Sequence, residues 1–348
     1  SSRMFHKNEG ETMRRLVLAI AVLLLGSALA QTTLETVRSR GSLVCGVNSA
    51  GLAGFTNINA DGSYSGFDVD FCRAIAAAVL GDSQAVTFRG LSAQERFTAL
   101  QTGEIDVLIR NTTWTTNRDT ALGFNFAPTT FYDGQGFMAR ANSGIAEIDD
   151  LDGTTICVQS GTTTELNLAD VMAANDIEYT PLVFNEQAQI IAAYEEGSCD
   201  AWTTDKSGLV SELTKLATPA DHAILEATIS KEPLGPGVRH GDDQWFDIVK
   251  WVVYVTFATE EYGISSANVD QEFIENEDPN VQRLLGVDPE KVLEFGLEAN
   301  AFLNVIKQVG NYAEIYERNL GESTPTYIPR GLNESYVNGG LHYAPPIR

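Results

Sequence analysis

The stretch Arg110-Asn-Thr-Thr-Trp-Thr-Thr-Asn-Arg118 sets four threonine hydroxyls and two amides between two guanidinium groups. A guanidinium is a planar fork that matches a carboxylate through two parallel hydrogen bonds. A second stretch, Gln159-Ser-Gly-Thr-Thr-Thr-Glu165, reads as the exit of a strand and the start of a helix. Free backbone N–H groups at such a start attract anions. A third, Thr203-Thr-Asp-Lys206, also follows a strand, and Asp205 can hold an ammonium group. Taken singly, Thr162 is an ordinary N-cap and Arg118 an ordinary partner for Asp119. Taken together, at strand ends in two halves of the chain, they offer donors for a carboxylate and an acid for an amine. That is the chemistry of a free α-amino acid.

Other chemistries find little support. The 348 residues contain no P-loop and no G-x-S-x-G. Gly134–Ala139 fits G-x-G-x-x-A but precedes an arginine rather than a helix, so the dinucleotide context is missing. His6, His222, His240 and His342 are scattered, which argues against a histidine metal site. Asp149-Asp150 and Asp242-Asp243 read as solvated loop charges. The formal charge of -24 repels phosphate backbones and argues against nucleic acid as a partner.

The elements that must position these residues alternate. Leu43–Val47, Ala85–Arg89 and Ile105–Ile109 read as strands, with helices at Phe67–Leu80 and Glu95–Gln101 between them. The pattern then restarts. Strands at Thr155–Val158, Tyr179–Val183 and Asp200–Thr203 alternate with helices at Thr163–Asn175 and Ala188–Glu196. This predicts two α/β lobes with largely parallel sheets. Tyr132–Met138 and Ile229–Val238 would carry the chain across and back, forming a hinge of two crossings. We expect residues 31–134 and 234–348 in the first lobe and 135–233 in the second. Beyond a helix at Gln244–Thr259, helices at Pro289–Val309 and Tyr312–Asn319 and a Pro-, Gly- and Tyr-rich end form an extension expected to wrap the first lobe.

Met13–Ala30 reads as a secretory signal: Arg14 and Arg15, an apolar run from Leu16 to Leu25, and the cleavage motif Ala28-Leu29-Ala30. The run is too short to span a bilayer, which takes roughly 20 apolar residues. Cleavage near Ala30 would remove four basic and two acidic residues, leaving a still more acidic chain. Export permits disulfides. Of the three possible connectivities, Cys45–Cys72 with Cys157–Cys199 places one bridge in each half; four buried thiols are the alternative.

Several motifs in order resemble those of amino-acid-binding proteins of ABC transporters, periplasmic solute-binding family 3. In the first lobe they are Gly66-Phe-Asp-Val-Asp-Phe71, Phe97–Val107 and Thr113-x-Thr115-x-x-Arg118; in the second, Gln159-Ser-Gly-Thr-Thr163 and Asp205. Trp114, Ser230-Lys-Glu-Pro-Leu-Gly235 and Gly339–Arg348 are similar to the general L-amino-acid branch. The resemblance implies the two-lobed periplasmic-binding-protein fold with a C-terminal helical extension. It implies a free L-amino acid as ligand, a membrane permease as partner, no cofactor and no metal, no membrane insertion after cleavage, and a monomer. It further implies that Arg118, Thr113 and the amide of Thr163 grip the α-carboxylate. Asp205, with Asn111 and the Thr113 hydroxyl, takes the ammonium. Phe55 packs on the ligand, Thr162 lines the site, and Arg110 reaches toward an acidic side chain. Two other uses of the same fold make different demands. A prephenate- or cyclohexadienyl-type dehydratase needs no ammonium partner at Asp205, and a ligand-sensing module needs a separate receptor.

Overall fold

The computed structural model describes residues 31–288, 290 and 295–348; the signal segment expected at Met13–Ala30 lies outside them. Helix α1 (Thr33–Arg40) opens with a capping box between Thr32 and Glu35 and stops at left-handed Gly41. Strand β1 (Leu43–Asn48) and the hairpin β2 (Asn57–Ile58)–β3 (Tyr64–Ser65) lead into α2 (Phe67–Leu80). Then come β4 (Val86–Leu91), α3 (Glu95–Gln101), β5 (Val107–Leu108) and β6 (Phe124–Phe126). The chain crosses on β7 (Phe131–Asp133) into the second lobe. That lobe holds β8 (Gln135–Arg140), β9 (Thr154–Gln159), α4 (Thr163–Ala174), β10 (Tyr179–Phe184), α5 (Gln187–Glu195), β11 (Ala201–Asp205), α6 (Lys206–Leu213) and β12 (His222–Ile224). It returns on β13 (Glu232–Leu234) to β14 (Gly237–Arg239) and α7 (Asp243–Glu261). The extension supplies α8 (Val269–Glu275), α9 (Pro279–Leu285), α10 (Ala301–Gln308) and α11 (Tyr312–Leu320).

Two five-stranded sheets result, ordered β4-β1-β5-β14-β6 and β10-β9-β11-β8-β12. The strands read from the alternating pattern pair in parallel: β1 with β4 and β5, and β9 with β10 and β11. Both sheets are nonetheless mixed, because β8 and β14 run antiparallel to their neighbours. The parallel strands end at the inter-lobe side, and a crossing strand enters from that side, so it must run the other way. The expected single strand at Tyr132–Met138 is broken at Gly134, where a Cβ would collide with Thr228 and with the carbonyl of Ser230. Glycine thus lets the two crossings touch. The crossings pair with one another, Asp133 opposite Glu232 and Phe131 opposite Leu234.

Helix α2 explains why the first lobe needs its extension. Its residues Ala74 to Ala78 are buried nearly all round, whereas a helix lying on a sheet alone would keep a polar face. Small side chains let α10 and α7 approach its outer side. The extension is fastened there by hydrogen bonds: Ser83 N–H donates to Gln308 at 2.7 Å and Gln308 Nε2 to the Gly81 carbonyl at 2.9 Å. Arg318 pairs with Asp70 at 2.8 Å. Phe67, Phe71, Phe131, Tyr312 and Tyr316 meet edge-on, tilted or stacked at the centre of this core. Each fully buried Phe-sized side chain contributes about 1.5–3 kcal/mol. The extension therefore does wrap the first lobe. The helix expected over Pro289–Val309 begins only at Ala301, and positions 289 and 291–294 lie outside the described residues.

Each lobe carries one disulfide. Cys45 on β1 joins Cys72 on α2 with Cα atoms 6.1 Å apart, and Cys157 on β9 joins Cys199 just before β11 at 5.7 Å. Each bridge pins elements whose ends reach the space between the lobes.

Candidate functional site

The C-terminal ends of β1, β5, β9 and β11 converge between the lobes, where α/β sheets bind ligands. The first lobe lines the cleft there with Asn48, Leu52, Arg96, Arg110, Asn111 and Thr113. Opposite stand Gln159, Thr162, Thr163, Thr164, Gln187 and Asp205. The enclosed space is about 20 Å³, and a neighbouring cavity of about 460 Å³ shares Thr162 and Thr163 with it. Contacts tie the two rims. Gln94 Nε2 donates to Ser160 Oγ at 2.7 Å, Ser211 Oγ to the Ala53 carbonyl at 2.6 Å, and Lys215 Nζ to the Gly51 carbonyl at 3.0 Å.

Six of the eight residues singled out in the sequence meet in this cleft: Arg110, Asn111, Thr113, Thr162, Thr163 and Asp205. Asn111 is one of two non-glycine residues with positive φ among the described residues, at 34°. Its N–H is taken by Asp68 at 2.9 Å. That bond turns the chain sharply after β5 and aims the following threonines inward. Thr162 caps α4 by accepting from Glu165 N–H at 3.2 Å, which leaves the first-turn amides of Thr163 and Thr164 facing the cleft side. Asp205 ends β11 directly before α6.

Arg118 lies just behind the cleft, at the edge of the neighbouring cavity. It is buried; Nη1 donates to the Thr113 carbonyl at 2.7 Å and the guanidinium carbon sits 4.8 Å over the Phe97 ring. Phe55 is not in the site. The loop Leu52–Thr56 closes on itself through two backbone hydrogen bonds of 2.8 Å, which turns Leu52 to the cleft and Phe55 to the core. There Phe55 packs edge-on against Phe67 and Phe131 at 5.6 and 5.3 Å. Phe55, expected to pack on the ligand, thus lies in the core of the first lobe, and Leu52 lines the cleft.

Arg96 is the residue that sequence reasoning missed. It projects from α3 into the cleft, 3 % exposed, with Nη1 donating to Thr112 Oγ1 at 3.3 Å and to the Arg110 carbonyl at 3.5 Å. Its Nε–H, fully buried, has no partner. The signal was present: Arg96, Ala99 and Leu100 share one buried stripe of α3, and a charge on an apolar stripe needs a reason.

The electrostatics are those of an unfinished ion pair. Burial lowers the Arg96 pKa well below its usual value, and its neighbours Arg118 and Arg110 lower it further. Burial also lowers Arg110 and Arg118, each to about 10. On the opposite wall burial raises Asp205 far above the carboxylate range, with Asp133 and Glu232 adding to it. Among the described residues the Asp205 carboxyl accepts no hydrogen bond, and neither it nor Arg96 forms an ion bridge. Desolvated opposite charges, unpaired and on opposite walls, suit a zwitterion that meets both. No group of three or more metal-ligating side chains occurs among the described residues.

Two lobes, two crossing strands and a charged cleft between them define a two-lobed binding protein. Residues 43–322 match the bacterial extracellular solute-binding proteins, family 3, and the chain belongs to that family. It is 54 % identical over 331 residues to the general L-amino acid-binding periplasmic protein AapJ of Rhizobium johnstonii, covering 94 % of this chain and 96 % of that protein. It is 48 % identical to the glutamate/glutamine/aspartate/asparagine-binding protein BztA of Rhodobacter capsulatus, covering 95 % and 97 %. Among solved structures, an ABC transporter periplasmic binding protein from Brucella ovis with glutathione bound superposes with a TM-score of 0.88 at 51 % identity, covering 91 % of this chain and 99 % of that one. These relatives are binding proteins. No helix among the described residues is long and apolar enough to cross a membrane.

Proposed function

We propose that this protein is an exported receptor that takes a free L-amino acid between its lobes and presents it to the permease of an ABC transporter. The single observation that carries the reading is the buried, unpaired Asp205 facing the arginine cluster across the cleft. Asp205 receives the α-ammonium. Arg118, reached past Thr113 and Thr163, and the first-turn amides of α4 receive the α-carboxylate. Arg96, with its free Nε–H, and Arg110 face the side chain, which favours acidic and amide side chains. The ligand touches both lobes, so it favours the closed form by its differential affinity for it. No step makes or breaks a bond. The signal segment is removed near Ala30, and the lobes comprise residues 31–134 with 234–348 and residues 135–233.

A thermal-shift panel tests this. The mature chain from Gln31 is screened against the twenty L-amino acids, prephenate and reduced glutathione, the last because the Brucella ovis relative holds it. Ligand at about 100 times Kd stabilises by about 2.7 kcal/mol, a shift of a few degrees at this size. Shifts with glutamate, glutamine, aspartate or asparagine support the reading. A shift with prephenate alone, or with no amino acid, overturns it.

A further inference from the structure

Glu232 opens the return crossing, and its side chain is fully buried. Its two carboxylate oxygens collect four hydrogen bonds. Oε2 accepts from Thr113 Oγ1 at 2.5 Å and Thr163 Oγ1 at 2.9 Å. Oε1 accepts from Asn167 Nδ2 and Ser230 Oγ, each at 2.8 Å. Thr113 belongs to the first lobe, Thr163 and Asn167 to helix α4 of the second, and Ser230 to the connector between them. One carboxylate thus ties both lobes to the hinge, directly beneath the cleft. Its charge has no partner cation in an ion bridge among the described residues.

This geometry fixes the hydrogens of the site. An ionised carboxylate only accepts, and a threonine hydroxyl has one hydrogen to give. With the lobes together, the Thr113 and Thr163 hydroxyls have given theirs to Glu232. Toward the cleft they can offer only lone pairs, which suits an ammonium and not a carboxylate. The ligand carboxylate is then left to guanidinium and backbone N–H donors. When the lobes part, Thr113 separates from Thr163 and Asn167, so Glu232 cannot keep the donors of both lobes.

We propose that Glu232 is a positioning residue that couples lobe closure to the polarity of the site: it latches the closed form and turns the Thr113 and Thr163 hydroxyls into acceptors. The inference rests on the amino-acid reading for its ligand, but not for the latch. The test uses wild type, E232Q, T163V and the double variant. Glutamine has the same shape but only one accepting oxygen, so it preserves packing while removing half of the acceptor. Dissociation rate is measured by stopped flow with the best amino acid from the panel, and ligand-free lobe separation by distance measurement between one spin label on each lobe. E232Q is expected to dissociate at least 10-fold faster and to sit more open without ligand. T163V should cost less on top of E232Q than it costs alone, because the single amide oxygen that remains serves fewer of the four donors. Wild-type dissociation rate and lobe separation in E232Q, or fully additive effects, overturn the proposal. If wild type binds no amino acid the functional reading fails, and the ligand-free separation still decides the latch.

Discussion

Asn333, in the C-terminal tail, grips the backbone of Tyr132 in the first crossing strand from both sides. Its Oδ1 accepts from the Tyr132 N–H at 2.7 Å and its Nδ2 donates to the Tyr132 carbonyl at 3.3 Å. The tail thereby reaches past the lobe it wraps and holds the hinge. Tyr312 adds a bond of 2.7 Å to the Thr130 carbonyl, two residues earlier. Residues 323–348 lie beyond residues 43–322, the stretch that matches the family.

The brace makes a local prediction. Asn333→Ala leaves the Tyr132 amide without its acceptor, at a cost of about 1–3 kcal/mol. Hydrogen exchange at residues 130–134 should accelerate, while exchange in β9 and β10 stays as in wild type. Unchanged exchange at the hinge would show that the tail does not hold it.

Arg96 is a buried cation without an ion partner, so removing it should relieve the folded state while harming the ligand. Arg96→Met should raise or preserve the melting temperature of the ligand-free protein, since an apolar side chain of similar length replaces a desolvated charge. Affinity for acidic amino acids should fall by at least 10-fold by calorimetry. A large loss of stability with unchanged affinity would make Arg96 structural.

Asp205 predicts a proton count. Burial, with Asp133 and Glu232 nearby, raises its carboxyl well above the usual range, whereas an ammonium placed beside it favours the ionised form. Binding should therefore release protons and weaken as pH falls. Calorimetry in buffers of different ionisation enthalpy reads this release directly. Asp205→Asn should abolish it together with most of the affinity; release of the same size in the variant would place the proton elsewhere.

His342 predicts acid sensitivity of the tail. Its ring is buried between Phe257 and Tyr312, at 4.2 and 4.3 Å, with both nitrogens unpartnered. Burial, with Arg330 nearby, pushes its pKa from 6.5 down to about 3. The unfolded chain therefore binds the extra proton between those values, and stability is lost as pH falls from about 6.5 toward 3. His342→Phe should flatten that slope and melt higher than wild type at pH 5. An unaltered slope would assign the acid dependence to other groups.

Much of this architecture is legible in the sequence because local signals agree. The ends of α2 at Gly81 and of α4 at Thr162 are written in caps, and the repeated strand–helix alternation yields two lobes and two crossings. The cysteines pair as one bridge per lobe for the same reason: each pair flanks neighbouring elements. What escaped depends on where a side chain turns. Phe55 and Leu52 are three residues apart in one loop, and only its hydrogen bonds decide which of them faces the cleft. Arg96 shares the stripe of Ala99 and Leu100 on a short helix, a spacing present in the sequence, and only the fold shows that it ends in the cleft. Glu232 reads as a charge in a Pro- and Gly-rich connector, and its role emerges only when two distant elements converge on it.

A cleft that binds an α-amino acid by both its ends must reject molecules that lack either one. Calorimetric titration with L-glutamate, and in parallel with glutarate and 4-aminobutyrate, tests it most directly. Glutarate lacks the ammonium and 4-aminobutyrate lacks the α-carboxylate. Glutamate is expected to bind with roughly micromolar Kd, about 8 kcal/mol, and each analogue at least 100-fold more weakly. Equal affinity for glutamate and either analogue would contradict the assignment of Asp205 and the arginines.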